Sequence, residues 1–302
     1  MSIASRPSFI TLPPLNNGWE NLLAFLCAQF PHIEPLVWEC RLRDGKVQWR
    51  DGEMATADSA FEPNRTLAYY REVQQEPVIE GAHKILFQNE HFLMADKPHF
   101  LPVTPGGKYV NECLLERLRH QYNLPNVVCA HRIDRHTAGL VLFSTNPQSR
   151  SAYCQLFMDG AIQKHYSAVA STTQLKQRAK ITLPQQWQVE GRIVRSEPKF
   201  TFCQTGGVVN ARSSIELVAI SGELGMFELS PITGKTHQLR LHMASIGAPI
   251  LYDGLYPSLQ PEKPDDASKP LQLLARELIF TDPITQQQHH FHSELTLNHW
   301  SI

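Results

Sequence analysis

The ten residues from Ala130 to Gly139 constrain this chain most, because they crowd His131, Arg132, Asp134, Arg135 and His136 between two apolar runs, Val127–Ala130 and Gly139–Ser144. The flanking runs are rich in β-branched and apolar residues and read as strands. Charged side chains cannot follow those strands into a core, so they must project from a turn at one end of a sheet. Functionally, flanking arginines can hold phosphate oxygens while an aspartate of ordinary acidity serves as nucleophile or base. On this segment alone a surface ion-pair cluster is the simpler reading, since exposed pairs are common and contribute little.

A second segment, Gly234 to Gly247, follows a strand that ends near Leu229. Thr236 is placed to cap a helix, Leu239, Met243 and Ile246 fall on one face at i, i+4 and i+7, and Gly247 ends it. Arg240 projects from another face and can pair with a carboxylate from elsewhere, while Lys235 and the first-turn amides could receive a phosphate. An ordinary amphipathic helix with incidental charges explains the same pattern.

With 302 residues the chain can form one large domain or two ordinary ones. Residues 1–80 carry 7 basic and 11 acidic side chains, net −4, and the remainder 21 and 18, net +3. Anion binding is therefore expected after residue 80. The early part reads as two helices, Trp19 to Phe30 and Ile33 to Cys40, with a small sheet. The Glu76-Pro77 and Glu80-Gly81 punctuation sets a boundary near residue 80. Beyond it, helical spacing over Val110–Tyr122 and Ser149–Met158 alternates with short strands at Ile85–Phe87, Phe92–Ala95, Tyr166–Ala170, Ser214–Ile220 and Met226–Leu229, a mixed α/β pattern. Pro261–Pro270, with three prolines, reads as a solvated loop without chemistry of its own.

The six cysteines are far apart and lack a CxxC pair, so they are expected to be reduced and mostly buried. No apolar run reaches the length of a membrane span, and the first twenty residues lack a secretory core, which makes the cytoplasm the expected compartment. The His289-His290-Phe291-His292 run invites a metal reading. Adjacent strand residues face opposite sides, however, and no Asp, Glu or Cys completes a short-spaced set, so no metal is expected. Nucleotide-cofactor motifs of the GxGxxG and GxxxxGK[ST] kinds are absent.

The segment His131-Arg132-Ile133-Asp134-Arg135-His136-Thr137-Ala138-Gly139-Leu140 resembles the catalytic motif of the RluA-type pseudouridine synthases, HRLDRxTSGL, and residues 234–253 resemble their later GxTHQIRxHxxxxGxPIxGD motif. Asp96-Lys97-Pro98, Lys164–Val169 and Leu273–Pro283 are similar to further family segments, so the resemblance covers about residues 82–297. It implies an α+β fold: a mixed, largely antiparallel sheet with flanking helices around a central RNA-binding cleft, residues 81–302 forming the catalytic domain. Residues 1–80 would be a small N-terminal α+β domain similar to a degenerate ribosomal-protein-type RNA-binding module.

The implied activity is isomerisation of a uridine in transfer RNA or large-subunit ribosomal RNA to pseudouridine by a monomer, without an external cofactor. Asp134 matches the catalytic aspartate, acting as nucleophile or as base; Tyr166 matches the tyrosine that packs on the target base; Arg240 matches the arginine that pairs with the aspartate. A uridine must be flipped out of its stack, and Arg132, Arg135, His136, Thr137, Lys235 and Gln238 are the candidate contacts to phosphates and neighbouring bases. Departures from the pattern are Ile133, Ala138, a loose match over Asn210–Ser213, and Leu251-Tyr252-Asp253, which lacks the family glycine before Asp253. An RNA-binding protein that has lost catalysis is the competing class; retention of Asp134, Tyr166 and Arg240 together argues against it.

Overall fold

The computed structural model describes residues 1–178 and 180–300. The chain divides into two units: Met1–Pro77 with Gly106–Asn111, and Val78–Pro105 with Glu112 onward.

In the first unit, β1 (Ser2–Ile3), β2 (Ser8–Thr11), α1 (Leu22–Gln29), α2 (Pro35–Arg43), β3 (Val47–Trp49), β4 (Thr66–Tyr69) and β5 (Glu72–Val73) follow in order. Helix α1 starts where the Asn21 side chain accepts the Ala24 amide at 2.9 Å, and α2 starts at Pro35, whose missing N–H costs a helix nothing at that position. The strands form a pair, β1–β5, and a sheet ordered β2-β4-β3. Leu22, Phe25 and Leu26 of α1 and Trp38 and Leu42 of α2 pack with Val47, Trp49 and Leu67.

The second unit contains β6 (Lys84–Gln88), β7 (Phe92–Lys97), α3 (Leu114–Gln121), β8 (Val128–Cys129), β9 (Ala138–Ser144), α4 (Arg150–Met158), β10 (Gln163–Ser171), α5 (Thr173–Arg178), β11 (Gln185–Arg195), β12 (Phe202–Thr205), β13 (Ala211–Ser221), β14 (Leu224–Pro231), α6 (Gln238–Ser245), β15 (Leu273–Thr281) and β16 (Gln288–His292). Its eleven-stranded sheet runs β12-β11-β13-β14-β10-β15-β9-β7-β6, with β16 beside β15 and β8 beside β9. All its pairings are antiparallel except β9 with β15, the seam between the two halves. The mixed, largely antiparallel α+β architecture agrees with the sequence reading.

At the seam, Gly139 has φ +111°, and a Cβ there would lie 2.2 Å from the Ala275 carbonyl oxygen. Only glycine lets the two backbones meet. Both faces of β7 and β9 are covered, by α3 through Leu114, Leu115 and Leu118 and by α4 through Tyr153. In the other half, Leu239 and Met243 of α6 pack on Ala168, Ile215, Phe227 and Leu229, and each such buried side chain contributes about 1.5–3 kcal/mol.

Several local expectations change. Helix α3 begins at Leu114 rather than Val110, because the amides of Leu114 and Leu115 go to the carbonyls of Pro102 and Val103 and those of Val110 and Asn111 go to the Glu76 carboxylate. Thr236 does not cap α6; His237 holds that position with φ 58°, and no side chain caps the helix. At its other end Gly247 does close the helix, with φ +86° and its amide on the Ala244 carbonyl. All six cysteines are free, but only Cys113 is buried.

Candidate active site

The loop of residues 130–137 leaves β8 and returns as β9, and its backbone is pinned before any of its charges are used. The His131 ring accepts the Leu142 amide at 3.0 Å through Nε2 and stacks on Phe157 at 4.1 Å. Burial holds its pKa down at about 3, so His131 is a neutral anchor of the loop. Three consecutive carbonyls are then held: that of Asp134 by the Thr137 amide, that of Arg135 by Lys97 Nζ at 3.2 Å, and that of His136 by His99 Nδ1 at 2.7 Å. With these donors on its carbonyls, the loop backbone that carries Asp134 is held in place.

Lys97, at the end of β7, is fully buried and donates also to the Pro98 carbonyl at 2.9 Å. Burial pulls its pKa down to about 7, against the opposing pull of the Asp134 charge. It is a site residue that sequence reasoning did not single out, although Asp96-Lys97-Pro98 marked the segment.

From α6, Arg240 is 3% exposed and reaches Asp134 Oδ2 with Nη1 at 3.3 Å. Its tighter partner is Asp253, 1% exposed, which takes Nε at 2.8 Å and Nη2 at 2.5 Å, a bidentate clamp. Burial works against the guanidinium charge, but the Asp253 hydrogen bonds and the charges of Asp253 and Asp134 together outweigh it and keep the pKa raised. Asp253 is itself fixed by the amides of Leu255 and Tyr256 at 2.8 and 3.2 Å. Tyr252 before it adopts φ 62°, the left-handed conformation that a glycine occupies without strain, so the glycine of the family pattern answers a backbone requirement that Tyr252 meets with strain.

His237 was not singled out either. Its Nε2 lies 3.8 Å from Asp134 Oδ2, and its Nδ1 lies 2.8 Å from the Tyr256 hydroxyl. That hydroxyl accepts the Phe202 amide at 2.9 Å and has its own proton to give to Nδ1; this places the imidazole proton on Nε2, the tautomer favoured by the Asp134 carboxylate it faces. Burial lowers the His237 pKa, against the pull of the Asp134 and Asp253 charges and with the Arg240 charge adding to it, and keeps the ring neutral. The Asp134 contacts all fall on Oδ2; among the described residues Oδ1 has no hydrogen-bond partner.

Tyr166 sits on β10, opposite Leu229 and Ala275, where the β10–β15 register shifts between His165 and Tyr166. Burial, then the Asp134 charge, raises its pKa, so the phenol keeps its proton. Asp134, Tyr166 and Arg240 are thus brought into one electrostatic neighbourhood.

The predicted RNA contacts separate. Arg132 and Lys235 are exposed, and their side chains form no ion pair among the described residues. Arg135 forms a bidentate pair with Asp265, at 2.6 and 2.9 Å, so the Pro261–Pro270 loop does take part in the site's electrostatics. His136 Nε2 accepts from Arg135 at 2.6 Å, and burial, then the Arg135 and Arg240 charges, lowers its pKa to about 4, which makes it a neutral acceptor. Thr137 is 2% exposed and Gln238 3%. The Gln238 amide is spent internally on Thr233, Lys235, Arg212 and Ser213, so it shapes the turn before α6 and faces away from solvent.

The sequence profile of the RNA pseudouridylate synthases matches residues 91–245, half of the chain. The chain belongs to the RNA pseudouridylate synthase family. This synthase is 30% identical over 204 residues to the dual-specificity RNA pseudouridine synthase RluA of Pasteurella multocida, covering 67% of this chain and 89% of that one. It is 31% identical over 199 residues to the RluA of Vibrio cholerae, covering 66% and 77%. In structure it resembles human RNA pseudouridylate synthase domain containing 1, with a TM-score of 0.55 at 18% identity over 72% of this chain and 86% of that one, a likeness of fold. No described helix of the synthase is long and apolar enough to cross a membrane.

Proposed function

We propose that this synthase isomerises one specific uridine of transfer RNA or ribosomal RNA, with Asp134 as the catalytic carboxylate. The observation that carries the reading is the asymmetry of Asp134: Oδ2 faces buried Arg240 and His237, while Oδ1 is left for the substrate. In the reaction the bond between ribose C1′ and uracil N1 breaks, a bond from C1′ to C5 forms, the C5 proton leaves and N1 gains one. Substrate and product contain the same atoms in the same oxidation state, so the chemistry calls for no external group.

Asp134 either attacks the nucleotide or takes a ribose proton; both need a carboxylate whose charge is compensated without being covered. Arg240 supplies that compensation at 3.3 Å, and the Nε2 proton of His237 can strengthen it as charge shifts. Tyr166, held as a phenol, offers a flat apolar face to the freed base and a proton for transfer at the ring.

Exposed Arg132 and Lys235 are the groups we assign to the RNA backbone and the gap left by the flipped base. Arg135, His136, Thr137 and Gln238 support the loop and the turn instead. Lys235→Ala is expected to weaken binding evenly across RNA sequences and reduce the salt slope by about 1; an unchanged slope removes Lys235 from the interface. We assign residues 1–80 to shaping substrate choice as a degenerate RNA-binding module, its net −4 charge leaving phosphate neutralisation to residues 81–302. Ultraviolet cross-linking of bound RNA followed by peptide mapping tests this, and a cross-link pattern free of peptides from residues 1–80 would remove it.

The reading itself is tested by incubating the protein with unmodified transfer RNA and large-subunit ribosomal RNA transcripts and mapping pseudouridine by carbodiimide-dependent reverse-transcription stops. New stops in either RNA support it and name the substrate; tight binding to both without new stops favours an RNA-binding protein that has lost catalysis.

A further inference from the structure

Strands β15 and β16 pair antiparallel, with Glu277 opposite His292 and Ile279 opposite His290. Residues opposite one another or two apart share a face of a sheet, so Glu277, His290 and His292 stand together. On the other side of β15, Glu277 pairs with His165, which faces opposite to its β10 neighbour Tyr166; the register shift between them breaks the alternation of β15 and lets Ala275 pair with Tyr166. The three groups therefore lie on the face turned away from Tyr166, outside the site built on Asp134. The sequence alone set the histidine run aside for want of a nearby carboxylate; the register supplies one from thirteen residues before His290.

One donor atom from each residue lies within 4.8 Å of the other two. His290 Nε2 is 3.1 Å from Glu277 Oε2, and His292 Nδ1 is 3.4 Å from Glu277 Oε1. Two ligands bound at about 2.1 Å to one tetrahedral zinc ion are about 3.4 Å apart. Both imidazole–carboxylate distances are thus close to that spacing, the donors of the two imidazoles lie within 4.8 Å of each other, and five registered residue pairs keep the backbones in place.

We propose that Glu277, His290 and His292 form a binding site for a divalent first-row transition metal, zinc above all. Two imidazoles and one carboxylate suit zinc, copper or nickel rather than the all-oxygen preference of magnesium and calcium. The imidazoles are 46% and 56% exposed, so an ion enters from solvent and water completes the coordination. Arg276, whose Nε lies 3.8 Å from Glu277 Oε1 and whose Nη1 lies 4.0 Å from Glu228 Oε1, is a competing cation; at 52% exposure it can swing toward Glu228. Bound metal links β16 to β15 side chain to side chain and stabilises that pair.

Chelator-dialysed protein titrated with zinc chloride, against a chromogenic zinc indicator and by calorimetry, tests the proposal. One ion per chain is expected, with the melting temperature rising on saturation. His290→Ala, His292→Ala and Glu277→Gln should each weaken binding by about 10-fold or more, since even losing a group behind a ligand costs that much. Exposed His120, beside buried Glu116 and in no three-donor cluster among the described residues, supplies the control His120→Ala, and that variant should bind like the parent. All three ligand positions are partly or largely exposed, and circular dichroism verifies that each variant folds. Absence of saturable binding, several equivalent weak sites, or affinity unchanged in the three variants would overturn the proposal.

Discussion

The two sides of the Asp134–Arg240 pair are held by opposite means. The aspartate rides on a loop fixed through its backbone, by Lys97, His99 and the Thr137 amide, and its side chain stays 24% exposed with one oxygen uncommitted. The arginine is 3% exposed on a helix and is fixed through its side chain, by the two-point clamp of Asp253. The difference teaches how a carboxylate is kept available: the guanidinium facing it is satisfied elsewhere, so the bond between them stays single and longer, at 3.3 Å.

The largest effect should come from the side we propose to react. Asp134→Asn is expected to cost a factor of about 10²–10⁴ or more in turnover, with RNA affinity and melting temperature little changed, since Arg240 keeps its two-point clamp on Asp253 when the longer contact to residue 134 weakens. On the clamped side, Arg240→Ala leaves Asp253 buried without its partner and should destabilise by about 3–5 kcal/mol while also removing activity, which denaturation and turnover measured on one preparation would reveal. If Arg240→Ala melts like the parent, the contrast between the two sides fails.

The backbone props are tested by pH. A lysine in the unfolded chain keeps its proton to a pH of about 10.4, whereas burial lets Lys97 release its proton at about 7. Between these values the unfolded state binds more protons, so Lys97 makes stability rise with pH across that window. Lys97→Met should flatten the rise in chemical denaturation run from pH 7 to 10; an unchanged slope would show that Lys97 does not titrate there. The smallest effect is expected at Tyr252→Gly, which relieves the left-handed backbone beside the clamp and should change stability by no more than about 1 kcal/mol, toward the stable side, as read by the denaturation midpoint.

Much of this site could be read ahead of the structure because its chemistry is local. Charges between Val127–Ala130 and Gly139–Ser144 had to form a loop at a strand end, and the i, i+4, i+7 stripe of α6 correctly faced the core. What escaped depends on contacts between distant parts of the chain. Asp253 and Arg240 are thirteen residues apart, Lys97 reaches Arg135 across thirty-eight, and Asp265 reaches Arg135 across 130, so only the folded chain reveals them. Strand β11 was missed because glutamines and charged residues fill its outer positions, while Trp187, Val189 and Ile193 alone mark its inner face. Glu277 escaped for a related reason: its partners His290 and His292 come from the next strand, and register, not spacing along the chain, unites them.

The central claim is that Asp134 performs the isomerisation and Arg240 only compensates its charge. Tritium release from RNA labelled at carbon 5 of uracil, under single-turnover conditions with transfer RNA and ribosomal RNA transcripts, tests it most directly. We expect release by the parent protein from at least one RNA and none above background from Asp134→Asn at matched RNA occupancy. Release by Asp134→Asn at the parent rate would contradict the account.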